Sequence, residues 1–204
     1  MSNTDKKKII GNLEQGLVFV ISAPAGTGKT TLTDMLTDEF SCIVRSVSVT
    51  TRIPRDDETD GEDYFFVTNS EFENKKNNNE FLEYAQVFDN SYGTPKDKVQ
   101  DLLKKGKHVL LVIDAKGAMI VKDKIQATFI FIEPPTIEDL KKRMDKRNSE
   151  TDSSKDKRLL IAKEEMQMSK YYDYAIVNDD LYIAYDVLRS IIIAEEHKLK
   201  NNNK

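Results

Sequence analysis

Leu17-Val18-Phe19-Val20-Ile21-Ser22-Ala23-Pro24-Ala25-Gly26-Thr27-Gly28-Lys29-Thr30-Thr31 is the stretch on which the fold turns. It opens on a continuous apolar run, as expected of a strand buried on both faces. Small residues and glycines follow, and a helical pattern then runs from Lys29 to about Phe40. A strand, a glycine-rich turn and a helix in that order make the setting of a phosphate-binding loop. Gly26 and Gly28 let backbone N–H groups turn inward, and the positive end of the new helix faces the same point. Lys29 can reach the β- and γ-phosphates of a nucleotide, and the Thr30 hydroxyl can ligate Mg²⁺. Ala23 stands where such loops usually begin with glycine, which requires a negative φ at that position. The plainer reading is an ordinary glycine-rich turn; Lys29-Thr30 in this setting argues against it.

The same pattern repeats along the chain. Val109 to Ile113 and Thr128 to Ile132 read as two more buried strands, and Ala175 to Val177 as a short one. Ser46 to Val49, Tyr64 to Val67 and Phe81 to Tyr84 read as further strands, with a small polar helix near residues 70–76. Helices are expected from Pro95 to Lys105, after a Thr136 cap, up to about Lys170, and from Leu181 to His197. Residues 148–157 read as polar and mobile. Strands alternating with helices predict an α/β fold, a parallel sheet with helices on both faces.

The chain has 204 residues, a net charge of −4, 39% hydrophobic and 32% charged residues. That suits one domain with small insertions. No general basic field points to nucleic acid. The single cysteine, Cys42, cannot form an internal disulfide and suits a reducing compartment. It is expected in or near the core. No apolar run approaches the roughly 20 residues of a membrane span, and Met1 to Ile10 lacks a signal-peptide pattern. The expected location is the cytoplasm, without membrane or nucleic-acid partners. Monomer and homodimer both fit. His108 is expected at a sheet edge, and no His/Cys cluster suggests zinc.

Beyond the loop lies Ser46-Val47-Ser48-Val49-Thr50-Thr51-Arg52-Ile53-Pro54-Arg55, then Gly61-Glu62-Asp63-Tyr64-Phe65-Phe66-Val67, Phe81-Leu82-Glu83-Tyr84-Ala85 and Tyr92-Gly93-Thr94. In order and spacing these segments resemble the guanylate kinase family, from about Gly16 to Glu196. The resemblance implies a phosphate-loop NTPase-type fold with an inserted GMP-binding subdomain and a lid. The parts would be a lead-in at 1–16, a core at 17–45, 96–136 and 169–198, a GMP-binding insert at 46–95, a lid at 137–168 and a disordered tail at 199–204. It implies Mg²⁺-dependent phosphoryl transfer from ATP to GMP, with Ala23, Pro24, Ala25, Gly26, Thr27, Gly28, Lys29, Thr30 and Thr31 around the ATP phosphates.

The chemistry of the acceptor segment agrees. Arg52 and Arg55 can present planar forks to a doubly charged phosphate, and Tyr64 and Tyr92 can add phenolic donors. The family likeness has all four bind the GMP phosphate, with Ser48 close by. Glu83 would accept from the adjacent N1–H and N2–H₂ of guanine, where adenine offers a ring acceptor instead. The likeness places Thr94 and Asp114 around the same base. Taken singly, the arginines also read as surface residues and Glu83 as the outward side of an amphipathic strand.

Further along, the likeness assigns Arg147 and Arg158 to the transferring phosphoryl group, beside Lys29 and Arg52 in the catalytic set. It assigns Arg143 to the ATP phosphates and Asn178 to the neighbourhood of adenine. Fixed cations there would stabilise the spread charge of the transition state. A solvated charged helix would explain Arg143, Arg147 and Arg158 equally well. Asn178 or Asp179 would also serve as cap of the last helix. The chain departs from the family at Val112, where an acid is usual, at Lys116 in place of glutamine, and at Asp145-Lys146-Arg147-Asn148 in place of the lid turn. Two rivals remain open: a non-catalytic module of the same fold that binds proteins, and a kinase for another phosphorylated acceptor.

Overall fold

A computed structural model describes residues 8–87, 89–146 and 152–199. In chain order the elements are β1 (Val18–Ser22), α1 (Lys29–Glu39), β2 (Ile43–Arg45), β3 (Ser48–Thr50), β4 (Tyr64–Phe66), α2 (Asn69–Asn77), β5 (Phe81–Val87) and β6 (Asn90–Pro95). Then come α3 (Lys96–Lys104), β7 (His108–Val112), α4 (Ala115–Lys122), β8 (Thr128–Glu133), α5 (Ile137–Lys146), α6 (Asp152–Gln167), a 3₁₀ turn at Ser169–Tyr171, β9 (Tyr174–Val177) and α7 (Leu181–Glu196).

Five strands form a parallel sheet in the order β2-β7-β1-β8-β9. The unbroken apolar run of β1 serves two layers. Phe19 and Ile21 join a core with Leu32 and Leu36 of α1 and Leu188 and Ile192 of α7. Val18 and Val20 join a second core with Val99 of α3 and Ala118 and Val121 of α4. Helices thus cover both faces, which is why the strand carries no polar alternation. The first crossover places α1 at the carboxyl end of β1, where ligands bind in open α/β sheets.

A second sheet, in the order β4-β3-β6-β5, is built from residues between Ser48 and Pro95. Here β3 pairs parallel with β4 but antiparallel with β6. The strand expected at 46–49 is β3, shifted to Ser48–Thr50, and it belongs to the second sheet; β2, just before it, was not foreseen and extends the parallel sheet beside β7. β6 and α4 were not foreseen. Pro95 is not the first helical residue: its backbone is extended (φ −72°, ψ 128°), so it ends β6 and stands at the N-cap position of α3, which begins at Lys96. The expected mobile stretch 148–157 is helical from Asp152 onward; residues 147–151 lie outside the described ones. So does the tail, apart from Leu199.

The lead-in is not loose where it is described. Ile10 is buried, and the N–H groups of Gly11 and Asn12 donate to Glu196 at 2.6 and 3.0 Å. Glu196 also meets His108 Nε2 at 2.6 Å, with the two side chains 2% and 0% exposed. Leu17 N–H donates to His108 Nδ1 at 3.0 Å, so the ring proton sits on Nε2 and points at the carboxylate. His108 therefore lies in an interior strand, flanked by β2 and β1, rather than at a sheet edge. A polar residue is tolerated there because both ring nitrogens are satisfied. Burial pushes the Glu196 carboxyl up, but the two amides and His108 outweigh it and hold the carboxyl below its ordinary range. Its contribution to stability is present at neutral pH and fades as pH falls through that lowered value. Glu196→Ala orphans two amides and a buried ring. It is expected to cost about 3 kcal/mol, or on the order of 10 °C in melting temperature for a chain of this size, measured by thermal unfolding.

Candidate active site

The phosphate loop takes its shape from two glycines in the left-handed region, Gly26 at φ 87° and Gly28 at φ 95°. Among the described non-glycine residues only Asn79 has a positive φ, so Ala23 sits in a conformation open to alanine. Its methyl group joins the core under the loop. Thr27 closes the turn on the Pro24 carbonyl through its hydroxyl (2.6 Å) and its N–H (3.2 Å). Gly28 stands at the N-cap of α1 with no side-chain cap and no acid in the first turn, so the first N–H groups of the helix are available to a partner outside it. Ala25, Thr30 and Thr31 are exposed beside it. Lys29 is half-buried, and its one hydrogen bond among the described residues is a 3.5 Å contact to the Ile113 carbonyl. Burial lowers its ammonium below the ordinary lysine range, while Glu165 of α6 and Asp114 act the other way.

Asn178 lies just beyond β9. Its side-chain amide donates to the Thr27 carbonyl at 2.7 Å, and its backbone carbonyl accepts from Arg143 Nη2 of α5 at 2.8 Å. A cleft of about 340 Å³ runs between these residues and Gly26, Gly28 and Leu181. Neither Asn178 nor Asp179 caps α7. Asp180 does, accepting from Tyr182 and Ile183 N–H at 2.9 and 3.0 Å. Asn178 is instead spent on the loop, because β9 delivers it there. Arg158 is half-buried on α6. Arg147 lies outside the described residues.

The second sheet gathers residues that the sequence reading expects to hold the acceptor. Register pairs Ser48 with Tyr64, and Thr50 with both Phe66 and Tyr92, so these side chains share one face. The rings of Tyr64 and Tyr92 meet edge to face at 6.0 Å. Arg52 lies over the Tyr64 and Phe66 rings at 5.4 and 5.9 Å. Its Nη2 donates to both oxygens of Glu58 at 2.6 and 2.8 Å, and Nη1 donates to the Ile53 carbonyl at 3.0 Å. The Arg55 side chain is exposed, and its N–H donates to Glu58 at 2.9 Å. Pairing with Arg52, then the Arg55 amide, holds the Glu58 carboxyl below its ordinary range. Burial raises the Tyr64 phenol, so it remains a donor at neutral pH. Glu58 escaped the sequence reading because it is one acid in the run Asp56-Asp57-Glu58, which looks like a solvated loop.

Glu83 on β5 is 5% exposed, and Thr94 of β6 donates to its Oε1 at 2.6 Å. Burial raises the Glu83 carboxyl, with Asp114 adding to the rise and Thr94 and Lys124 opposing it. Lys124 donates to the Leu82 carbonyl at 2.7 Å. Asp114 follows β7 and caps α4 by accepting from Gly117 N–H at 2.7 Å. Val112, at the position of the missing acid, packs against the core instead. Lys116 is exposed. The structure thus brings together Lys29, Thr30, Arg143 and Asn178 at the loop, and Ser48, Arg52, Tyr64, Tyr92, Glu83 and Thr94 on the second sheet. Asp114 acts electrostatically on both Lys29 and Glu83.

The guanylate kinase family model matches residues 15–195. The chain belongs to the guanylate kinase family. It is 48% identical to the guanylate kinase of Protochlamydia amoebophila, over 93% of this chain and 96% of that one. It is 43% identical to that of Clostridioides difficile, over 92% of each. The crystal structure of guanylate kinase from Anaplasma phagocytophilum superposes with a TM-score of 0.73 at 36% identity, over 90% of this chain and 88% of that one. The fold is accordingly that of the family, a phosphate-loop α/β sheet flanked by helices. Among the described residues no helix is long and apolar enough to cross a membrane.

Proposed function

We propose that this chain transfers the terminal phosphoryl group of ATP to GMP, giving ADP and GDP, and that the residues above divide the work as follows. The loop from Ala23 to Thr31 cradles the ATP phosphates with its inward amides, and Lys29 supplies a cation at the phosphoryl group in flight. The base of ATP lies in the cleft beside Asn178, with Arg143 on the phosphate side. Arg52, Arg55, Tyr64, Tyr92 and Ser48 hold the GMP phosphate, and Glu58 keeps the Arg52 guanidinium from swinging. Glu83, Thr94 and Asp114 read guanine. Arg158 and Arg147 approach the transferring group when the lid segment closes.

An ionised phosphate oxygen is already a nucleophile, so no general base is required. Catalysis is placement and charge neutralisation. Thr30 is the described side chain that fits Mg²⁺. Among the described residues no group of three acids, histidines or cysteines could hold a metal, so such an ion would draw its other ligands from phosphates and water. Bound there, it would neutralise the charge on the ATP phosphates.

The observation that carries the reading is the buried Glu83, tied at one oxygen by Thr94 and set beside Asp114, on the sheet that bears Arg52. A coupled assay of ADP release with Mg-ATP and GMP, AMP, UMP, CMP or dGMP tests it. GMP is expected to exceed AMP in kcat/KM by about 10⁴, the discrimination a hydrogen-bonding site gives. No GMP-dependent release would point to the protein-binding module instead. AMP or a pyrimidine as the preferred acceptor would point to a different kinase.

A further inference from the structure

Gly117 opens the first turn of α4 on the face that packs against β5. It is buried and lacks the positive φ that would demand glycine for backbone reasons. A helix favours alanine over glycine, so local structure gives no cause for glycine here. The cause lies across the gap. A Cβ at this position would stand 3.1 Å from Glu83 Oε2 and 3.3 Å from Asp114 Oδ1. Both carboxylates are held by hydrogen bonds, so room for a methyl comes by displacing them: Glu83 Oε1 accepts from Thr94 at 2.6 Å, and Asp114 Oδ1 accepts from the Gly117 amide itself at 2.7 Å. The carbonyl of Leu82, next to Glu83, is held by Lys124 at 2.7 Å, which fixes the strand as well.

We propose that Gly117 is a specificity-determining positioning residue: its missing side chain makes the gap in which the Glu83 and Asp114 carboxylates stand together to receive guanine. A methyl group there turns Glu83 off its line to the base and strips water from both acids. The effect falls mainly on GMP, because the three atoms nearest the methyl belong to Glu83 and Asp114 and none to the phosphate loop. This inference rests on the assignment of Glu83 to guanine given above.

The test is Gly117→Ala, with equilibrium GMP binding by calorimetry, KM for GMP and for ATP, and thermal unfolding. Expected is a roughly tenfold weaker Kd and higher KM for GMP, the scale of a sub-ångström displacement of a reading group. KM for ATP stays put, and the melting temperature is equal or higher. A merely structural glycine would give the opposite pattern, lower melting and both substrates impaired together, and that result overturns the proposal. So does GMP binding within twofold of wild type when Glu83→Gln alone impairs it. In the double variant the alanine is expected to add little to the loss from Glu83→Gln, since the group it displaces is gone; full additivity speaks against the proposal. If Glu83→Gln alone leaves GMP binding unchanged, the guanine assignment itself fails, and the inference with it.

Discussion

Lys29→Ala is expected to lower turnover at saturating Mg-ATP and GMP by on the order of 10³-fold or more, with the melting temperature unchanged. The loss follows from the surroundings of the ammonium. Among the described residues it makes one long contact, to the Ile113 carbonyl, and it is depressed by burial, with Glu165 and Asp114 acting the other way. A cation held so loosely adds little to stability, and removing it costs the fold little. Its proposed partner is the phosphate chain of ATP, at the Gly26–Gly28 loop and the uncapped start of α1. Circular dichroism and steady-state kinetics on the same preparation check both halves. Turnover at wild-type rates would remove Lys29 from the reaction.

Glu83→Gln is expected to lower kcat/KM for GMP by about 10³-fold while KM for ATP stays within twofold. The carboxylate offers acceptors only; an amide turns a donor toward guanine's own donors or gives up the Thr94 bond. The pH dependence should go with it. The carboxyl is raised by burial, so GMP binding weakens on acidification at a pH above the ordinary glutamate range. KM for GMP measured across pH should show that limb in the wild type and lack it in the glutamine variant. A carboxyl whose folded value is raised is a cost to the folded state at neutral pH, relieved as pH falls. The variant is therefore expected to melt at or above the wild-type temperature. Equal GMP kinetics in the two proteins would reject the assignment.

Much of this arrangement was legible in the chain. The apolar run of β1, the glycines and Lys29-Thr30 act over consecutive residues, and local geometry is enough to predict a phosphate loop from them. The spacing of Arg52, Arg55, Tyr64, Glu83 and Tyr92 added the family. Other features depended on residues far apart. Glu58 is an acid among acids until β3 and β4 bring Arg52 over the Tyr64 ring. His108 reads as an isolated polar residue until α7 returns Glu196 from 88 residues away. Asn178 reads along the chain either as a neighbour of adenine or as a cap of the last helix; the strand before it carries it 151 residues back to Thr27.

Sequence alone determined that an α/β sheet would place an uncapped helix start and a lysine at the end of its first strand. Periodicity and turn chemistry are properties of neighbours along the chain. Only the tertiary structure decided which acids stand together beside Gly117, which arginine is braced, and why alanine is allowed at position 23. Those outcomes depend on burial and on partners from separate elements, and both come into being when the chain closes on itself.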